Sequence, residues 1–155
     1  MSVGTRIVFT RFVTIHSAKL IPWQEHTRRV AGVELLVIDE SVTGPAIVWK
    51  LASANNRTLA RSASIHLTFE EARNDAYRLV TDAAELEVRY ASNELSGAYG
   101  WFLLDQGDPA VICSRWYSTS RDRNQALELA RVALGSAVLE SGARPIDALR
   151  YGADA

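Results

Sequence analysis

One short segment of this sequence occurs twice, and this repeat constrains the fold more than any other feature. WKLASANNRTLARS (49–62) aligns without gaps with WFLLDQGDPAVICS (101–114). Each segment follows a strand-like run, ELLVIDES or ELEVRYAS, and each precedes a helical pattern. Such a repeat predicts one β-β-β-α unit that is present twice. The identical positions pair Trp49 with Trp101, Leu51 with Leu103 and Ser62 with Ser114.

Alternation along the chain predicts the strands of each unit. In AIVWKLA, Trp49 and Leu51 lie on one side of a strand, and in YGWFLL, Trp101 and Leu103 do the same. We therefore expect both tryptophans to point into the core. The links ASANNR and DQGDPA contain residues that favour tight turns, so each unit should contain a hairpin that returns through TLARS or AVICS.

Helical patterns follow both hairpins. Thr68 and Glu71 form a capping box, and the apolar stripe that follows predicts a helix over about 69–83. The second helix should begin near Asp122 and continue until Gly142 and Pro145 stop it. Its apolar surface is the wider of the two, which suggests that it is covered on more than one side.

These elements together predict an α+β fold. Two tandem β-β-β-α units share an antiparallel sheet with the helices packed on it, and a strand-containing extension precedes them. The expected organisation is a basic N-terminal extension with an added strand (1–33), the first repeat (34–84), the second repeat (85–141) and a C-terminal tail (142–155).

Composition limits the class of protein. With 155 residues, 48% of them hydrophobic, the chain can bury a core without metals or disulfides, and its single cysteine excludes an intramolecular disulfide. Arginines stand where a signal peptide would have its apolar region, and no window is apolar enough to span a membrane. We expect a cytoplasmic protein that does not bind membranes.

Charge is distributed unevenly. The net charge is −1, but residues 1–33 contain five basic residues and only one acidic residue, Glu25. Such a segment can contact nucleic acid or another acidic partner, or it can simply be solvated. The overall charge argues against a protein that coats nucleic acid.

No residue pattern indicates catalysis, a cofactor or a metal. His16, His26 and His66 lack metal-site spacing, and Cys113 has no second cysteine or base near it in the sequence. Cys113 is therefore interpreted as a buried hydrophobic residue. His66, just before the Thr68 cap, could face a ligand or could be a half-exposed loop residue.

The segment SRWYSTSRDR (114–123) is the candidate binding surface. Arginines beside exposed aromatic residues can contact phosphates, stack on bases or form a protein–protein hot spot. They can equally be paired locally by Asp122. The candidate residues are Arg115, Trp116, Tyr117, Arg121 and Arg123.

The repeated motif resembles the YegP-like proteins, also called the DUF1508 family. The motif consists of an aromatic residue, W-x-L, a turn, a small apolar pair and x-S, and a helix follows it; residues 34–141 contain it twice. The resemblance implies tandem or dimerising β-β-β-α units with one sheet and no established activity. The family's usual Asn-Gly turn is replaced by Asn55-Asn56 and by Gln106-Gly107-Asp108, and residues 1–33 have no counterpart.

We therefore expect a non-catalytic binding or protein-interaction module. A nucleic-acid-binding module and a small enzyme of unknown class remain as alternatives. The sheet should end in unpaired edges that only Lys19 and Lys50, the two lysines of the chain, could protect by charge, so we also expect a homodimer. Alternatively, residues 1–33 cover one edge within the chain.

Overall fold

A single mixed sheet organises the protein. The computed structural model describes residues 4–32 and 40–146, which contain seven strands, three α-helices and two short 3-10 helices. The order of strands across the sheet is β4-β5-β6-β3-β2-β1-β7. The predicted α+β class is confirmed. In chain order the elements are β1 (Arg6–Phe12), α1 (Ile21–Ala31), β2 (Ala46–Ala52), β3 (Thr58–Ser62), α2 (Phe69–Thr81), β4 (Glu87–Asn93), β5 (Ala98–Asp105), β6 (Asp108–Cys113), α3 (Ser120–Gly135) and β7 (Val138–Pro145).

The two repeats meet at the centre of the sheet. β3 pairs antiparallel with β6, and β2 and β5 lie outside them. β1 then pairs antiparallel with β2, as β4 does with β5. The strands therefore run symmetrically outward from the β3–β6 pair, and each half carries one helix, α2 or α3, after its third strand.

The first strand of the first unit is not where the sequence predicted it. Most of the predicted strand, 34–41, lies outside the described residues, and the described positions 40 and 41 form a turn. The place beside β2 is occupied by β1, which pairs with β2 along its whole length. The reason is that both β1 and the 34–41 run have strand-like patterns, and only long-range pairing selects between them.

The hairpins and their tryptophans are as predicted. Trp49 and Trp101 are completely buried in one shared hydrophobic core. The two turns differ in length. Residues 53–57 connect β2 to β3, whereas only Gln106 and Gly107 connect β5 to β6. Both of these residues have positive φ. Such a two-residue turn matches the twist of a hairpin.

The turns also shift the repeat alignment by one residue. The backbone N–H of Trp49 donates to Oγ of Ser62 (3.2 Å), and the N–H of Trp101 donates to Sγ of Cys113 (3.5 Å). Ser62 is therefore the structural equivalent of Cys113. The ungapped alignment had paired it with Ser114.

Both unit helices begin with the same cap. Thr68 and Thr119 have almost identical backbone angles (φ −131° and −132°, ψ 154° in both), and each hydroxyl accepts the N–H three residues later. This bond satisfies one of the free donors of the first turn. The predicted start of α2 is confirmed, and α3 starts slightly before the predicted Asp122.

The end of α3 and the C-terminal segment require a correction. α3 ends at Gly135, and residues 138–145, predicted as helix and tail, form β7. β7 runs parallel to β1, so the sheet is mixed and not purely antiparallel. The prediction failed because Ala137 and Val138 continue the apolar pattern of the helix, although they lie beyond its end.

The N-terminal segment also contains a helix that the sequence reading missed. α1 has a proline in its first turn and ends at Gly32, whose φ is 69°. Both features are typical of helix boundaries and could have revealed it. α1 contacts β4, β5 and β6. Its Trp23 contacts Arg61, which lies beside Lys50 and hence on the sheet face opposite to Trp49.

Candidate functional site

The segment between the third strand and the helix is built in the same way in both units. Ile47 and His66 exchange two backbone hydrogen bonds of 2.7 and 2.9 Å. Tyr99 and Tyr117 exchange the same two bonds, each 2.8 Å long. His66 and Tyr117 therefore occupy equivalent positions, next to a groove between the helix and the sheet.

The groove of the first unit, named here the α2 groove, is acidic. It has a volume of about 470 Å³. In this groove Arg78 forms ion pairs with Asp75 and Asp105, so these carboxylates neutralise its positive charge. The residues that line it include Ser64, Asp75, Arg78, Asp105, Asp108 and Ala110.

Asp75, which lines the α2 groove, is the centre of a polar network. Its Oδ2 lies 3.2 Å from Nε2 of His66 and accepts the indole N–H of Trp49 at 3.5 Å. Its Oδ1 accepts from Arg78 at 3.2 Å. Burial alone would raise the pKa of Asp75, but His66, Trp49 and Arg78 together outweigh burial and lower this pKa.

The groove of the second unit, named here the α3 groove, is basic. It has a volume of about 430 Å³ and lies between α3 and the ends of β3 and β6. Arg57 and Arg115 line it, and neither guanidinium has an ion pair with a carboxylate in residues 4–32 and 40–146. The other residues that line it include Leu59, Tyr117, Asp122, Gln125, Ala126 and Leu129.

The two grooves are equivalent in position but differ in chemistry. Counted from the Thr68 and Thr119 caps, Asp75 of α2 corresponds to Ala126 of α3. In the same way Arg78 corresponds to Leu129. The carboxylate and the arginine of the first groove are thus both replaced by apolar side chains in the second.

The loss of the carboxylate leaves a buried donor without a partner. Trp101 is completely buried, and its Nε1 has no hydrogen-bond partner among residues 4–32 and 40–146, whereas Nε1 of the equivalent Trp49 donates to Asp75. A buried N–H that bonds neither protein nor water destabilises the folded state by about 1–3 kcal/mol. This free donor in the second unit cannot be recognised from the sequence alone.

The residues of the predicted binding surface are only partly exposed. Arg115 is exposed, and its guanidinium lies 5.2 Å from the ring centre of Tyr117. Tyr117 itself is buried (9% exposed), which corrects the expectation of an exposed aromatic residue. Trp116 is half-buried, because its ring packs closely over Gly100 and edge-on to His26.

The two other arginines of the predicted surface lie at the start of α3. Arg121 is exposed. Arg123 is half-buried, and its guanidinium lies 4.2 Å from the ring centre of Tyr90 and 5.4 Å from that of Tyr99. Only Arg115 and Tyr117 of the predicted surface line the α3 groove. The sequence reading missed the contributions of Arg57, Ala126 and Leu129, which come from elsewhere in the chain.

The remaining titratable groups of interest are structural. Cys113 is buried, and burial raises its pKa to about 11, which confirms its interpretation as a hydrophobic residue. Nε2 of His26 lies 2.8 Å from the carbonyl oxygen of Cys113, and burial lowers the pKa of His26. Nε2 of His16 lies 2.8 Å from the carbonyl oxygen of Val42. In the described parts of the chain no three potential metal ligands cluster.

No family model and no curated protein matches the chain. The chain is similar to the solution NMR structure of yegP, a protein of unknown function from E. coli. The similarity covers 62% of this chain and 85% of that chain, with 14% sequence identity and a TM-score of 0.47. None of the helices that the structure describes is long and apolar enough to cross a membrane.

Proposed function

We propose that this protein is a non-catalytic protein-binding module whose α3 groove binds an acidic segment of a partner protein. The observation that carries this function is the pair of arginines, Arg57 and Arg115, that line one groove without a carboxylate partner in the described residues. Arginine binds carboxylates through two parallel hydrogen bonds, which gives both affinity and orientation.

The apolar part of the α3 groove favours a peptide over a small anion. Leu59, Ala126 and Leu129 line it beside the arginines, and Leu129 is 55% exposed. A protein-binding surface typically combines such apolar contacts with arginine and aromatic side chains. A segment that alternates acidic and apolar residues would contact both parts.

The alternatives have less support. Base stacking requires free aromatic faces, but Tyr117 is buried and Arg123 already stacks on Tyr90. A small enzyme would need a nucleophile beside a base, and the His66–Asp75 pair has no nucleophile bonded to it in the described structure.

The function is tested with a labelled peptide of alternating glutamate and leucine. We expect binding that weakens with added salt and that falls at least roughly tenfold in R57E/R115E, since two charge-assisted contacts become repulsive. Arg73→Glu, an exposed change on α2, is the matched control and should change affinity little. Equal binding of a lysine–leucine peptide, or tighter binding of single-stranded DNA or RNA, would contradict this function.

We also propose that the chain is a distant YegP-like protein of the DUF1508 family and that it is cytoplasmic. The support for the family is the repeated W-x-L motif, whose tryptophans take equivalent buried positions in two similar units. A further structure of a family member, superposed on each unit separately, would test it. Different strand orders in that structure would contradict membership.

A further inference from the structure

The two units differ at one buried hydrogen bond, and this difference indicates how the α3 groove recognises its ligand. In the first unit, Asp75 lines the α2 groove, and its carboxylate also accepts the indole N–H of Trp49. In the second unit, the groove is lined at the same place by Ala126, and the indole N–H of Trp101 has no partner in the part of the chain that the structure describes.

We propose that a carboxylate of the bound partner takes, in the second unit, the place that the Asp75 carboxylate takes in the first. It would accept the N–H of Trp101 at Nε1 and form an ion pair with Arg115. This site depends on the binding function proposed above and defines the chemical group that the groove selects.

The side chains of the two units differ at the place where this carboxylate would bind. Ala126 ends at its Cβ atom, so the volume that a carboxyl group fills at Asp75 is not filled by the side chain of Ala126. The flanking position that His66 occupies in the first unit is occupied by Tyr117, which also lines the α3 groove. Trp101 does not itself line the α3 groove and its Nε1 is closed off from solvent, so a ligand carboxylate reaches it only when the side chains between Trp101 and the groove move apart.

The charges around the two positions support the same conclusion. At Asp75 the counter-charge comes from Arg78 on the helix, whereas α3 has Leu129 at that place. On the sheet side the cation belongs to the other groove: Ser64 lines the α2 groove, and Arg115 lines the α3 groove at the corresponding position. The second unit thus keeps a cation and an indole N–H but lacks the anion between them.

A carboxylate fits this arrangement better than other acceptors. An ionised carboxylate only accepts hydrogen bonds, so it can take the indole N–H on one oxygen and the guanidinium on the other. The carboxylate could come from an acidic side chain or from the C-terminus of the partner. An amidated acidic peptide and an apolar peptide with a free C-terminus distinguish these two sources.

The experiment follows the indole N–H resonances in ¹H–¹⁵N spectra of the full-length protein. The chain has four tryptophans, so the four signals can be assigned with single phenylalanine variants. Sodium acetate is the first probe, compared with sodium chloride at equal ionic strength, and the glutamate–leucine peptide is the second. We expect the Trp101 signal to shift and to saturate with both probes, while the Trp49 signal stays in place.

Two variants test the equivalence of the units. Ala126→Asp should move the Trp101 signal without any added acetate, abolish the acetate response and weaken peptide binding roughly tenfold, because a hydrogen-bonded charged group is lost. Asp75→Ala should make the Trp49 signal respond to acetate. If Ala126→Asp does not fold, the acetate response of Trp49 in Asp75→Ala tests the equivalence of the two units.

The outcomes separate this inference from the proposed function. If the peptide binds but the Trp101 signal moves with neither probe, the carboxylate site is wrong and the binding function stands. If acetate moves the Trp101 signal but no peptide binds, the second unit holds a carboxylate at Trp101, but the binding function is wrong and a bound partner does not supply that carboxylate. Unchanged peptide affinity and unchanged acetate response in a folded Ala126→Asp variant would also overturn the carboxylate site.

Discussion

Asp75 and Ala126 lie at the same position in their helices, each seven residues after the threonine that caps the helix. Asp75 accepts the indole N–H of Trp49, whereas Ala126 cannot accept a hydrogen bond, and the indole N–H of Trp101 has no partner within the described residues. A duplicated unit has thus kept its packing in both copies but has changed the polar contacts of its grooves.

The two tryptophans should respond differently to loss of the indole N–H. Trp49→Phe and Trp101→Phe both shrink a fully buried side chain, so both should lower the free energy of unfolding. Trp49→Phe should cost about 1 kcal/mol more, because it removes a hydrogen bond, whereas Trp101→Phe removes an unsatisfied donor. Urea unfolding of both variants measures the difference, and a larger loss for Trp101→Phe would contradict it.

Asp75 should contribute to stability at neutral pH and lose that contribution in acid. Its pKa is lowered in the folded state, so the stabilisation is present above the unfolded pKa of about 4 and disappears as the pH falls through the folded pKa. Asp75→Asn should therefore lower the free energy of unfolding at pH 7 by about 1–3 kcal/mol.

The difference between wild type and Asp75→Asn should shrink below about pH 4. Glu94→Gln, an exposed loop substitution, is the control and should leave the stability at pH 7 unchanged. A constant difference between wild type and Asp75→Asn down to about pH 2 would show that the charge of Asp75 is not involved.

His26 should destabilise the protein when the solution becomes mildly acidic. Burial lowers its pKa, its bond to the Cys113 carbonyl opposes this, and the charges of Arg61 and Arg29 lower the pKa further. The unfolded chain therefore binds a proton first, and stability should fall as the pH decreases below about 6.5. In His26→Gln the drop between about pH 7.5 and pH 5 should be smaller, as measured by thermal unfolding. His16→Gln is the control. An equal loss of stability on acidification in His26→Gln and in wild type would contradict this prediction.

The homodimer predicted from the sequence remains to be tested. β7 is a poor pairing edge, because its register with β1 shifts near Gly142 and it ends at Pro145. β4 is a regular edge strand that no other described strand pairs on its outer side, and Val132 on α3 is 72% exposed. Either feature offers a surface for a second copy.

Light scattering at micromolar concentration decides the oligomeric state. We expect about twice the chain mass of 17.1 kDa. Arg89→Glu, which adds negative charge beside Glu87 on β4, should dissociate a dimer formed by sheet continuation, and Val132→Lys should dissociate one formed by helix packing. A mass near that of one chain in the wild type would refute the dimer.

The sequence predicted the features that depend on neighbouring residues. Alternation placed Trp49 and Trp101 in the core, and the Thr68 cap marked the start of α2. Both depend on side chains within a few positions along the chain, where the geometry of a strand or a helix turn fixes which residues share a side. The turn at Gly107 was equally readable, because few residues tolerate positive φ.

Only the tertiary structure decided which distant segments pair. β1 took the place beside β2 that the sequence assigned to residues 34–41, and β7 added a parallel strand to β1. The α3 groove likewise joins Arg57 to Ala126, and the missing partner of Trp101 is visible only where its helix packs on the sheet. Strand-forming patterns are alike in many segments, so the choice of partner depends on long-range contacts and on the burial that each arrangement achieves.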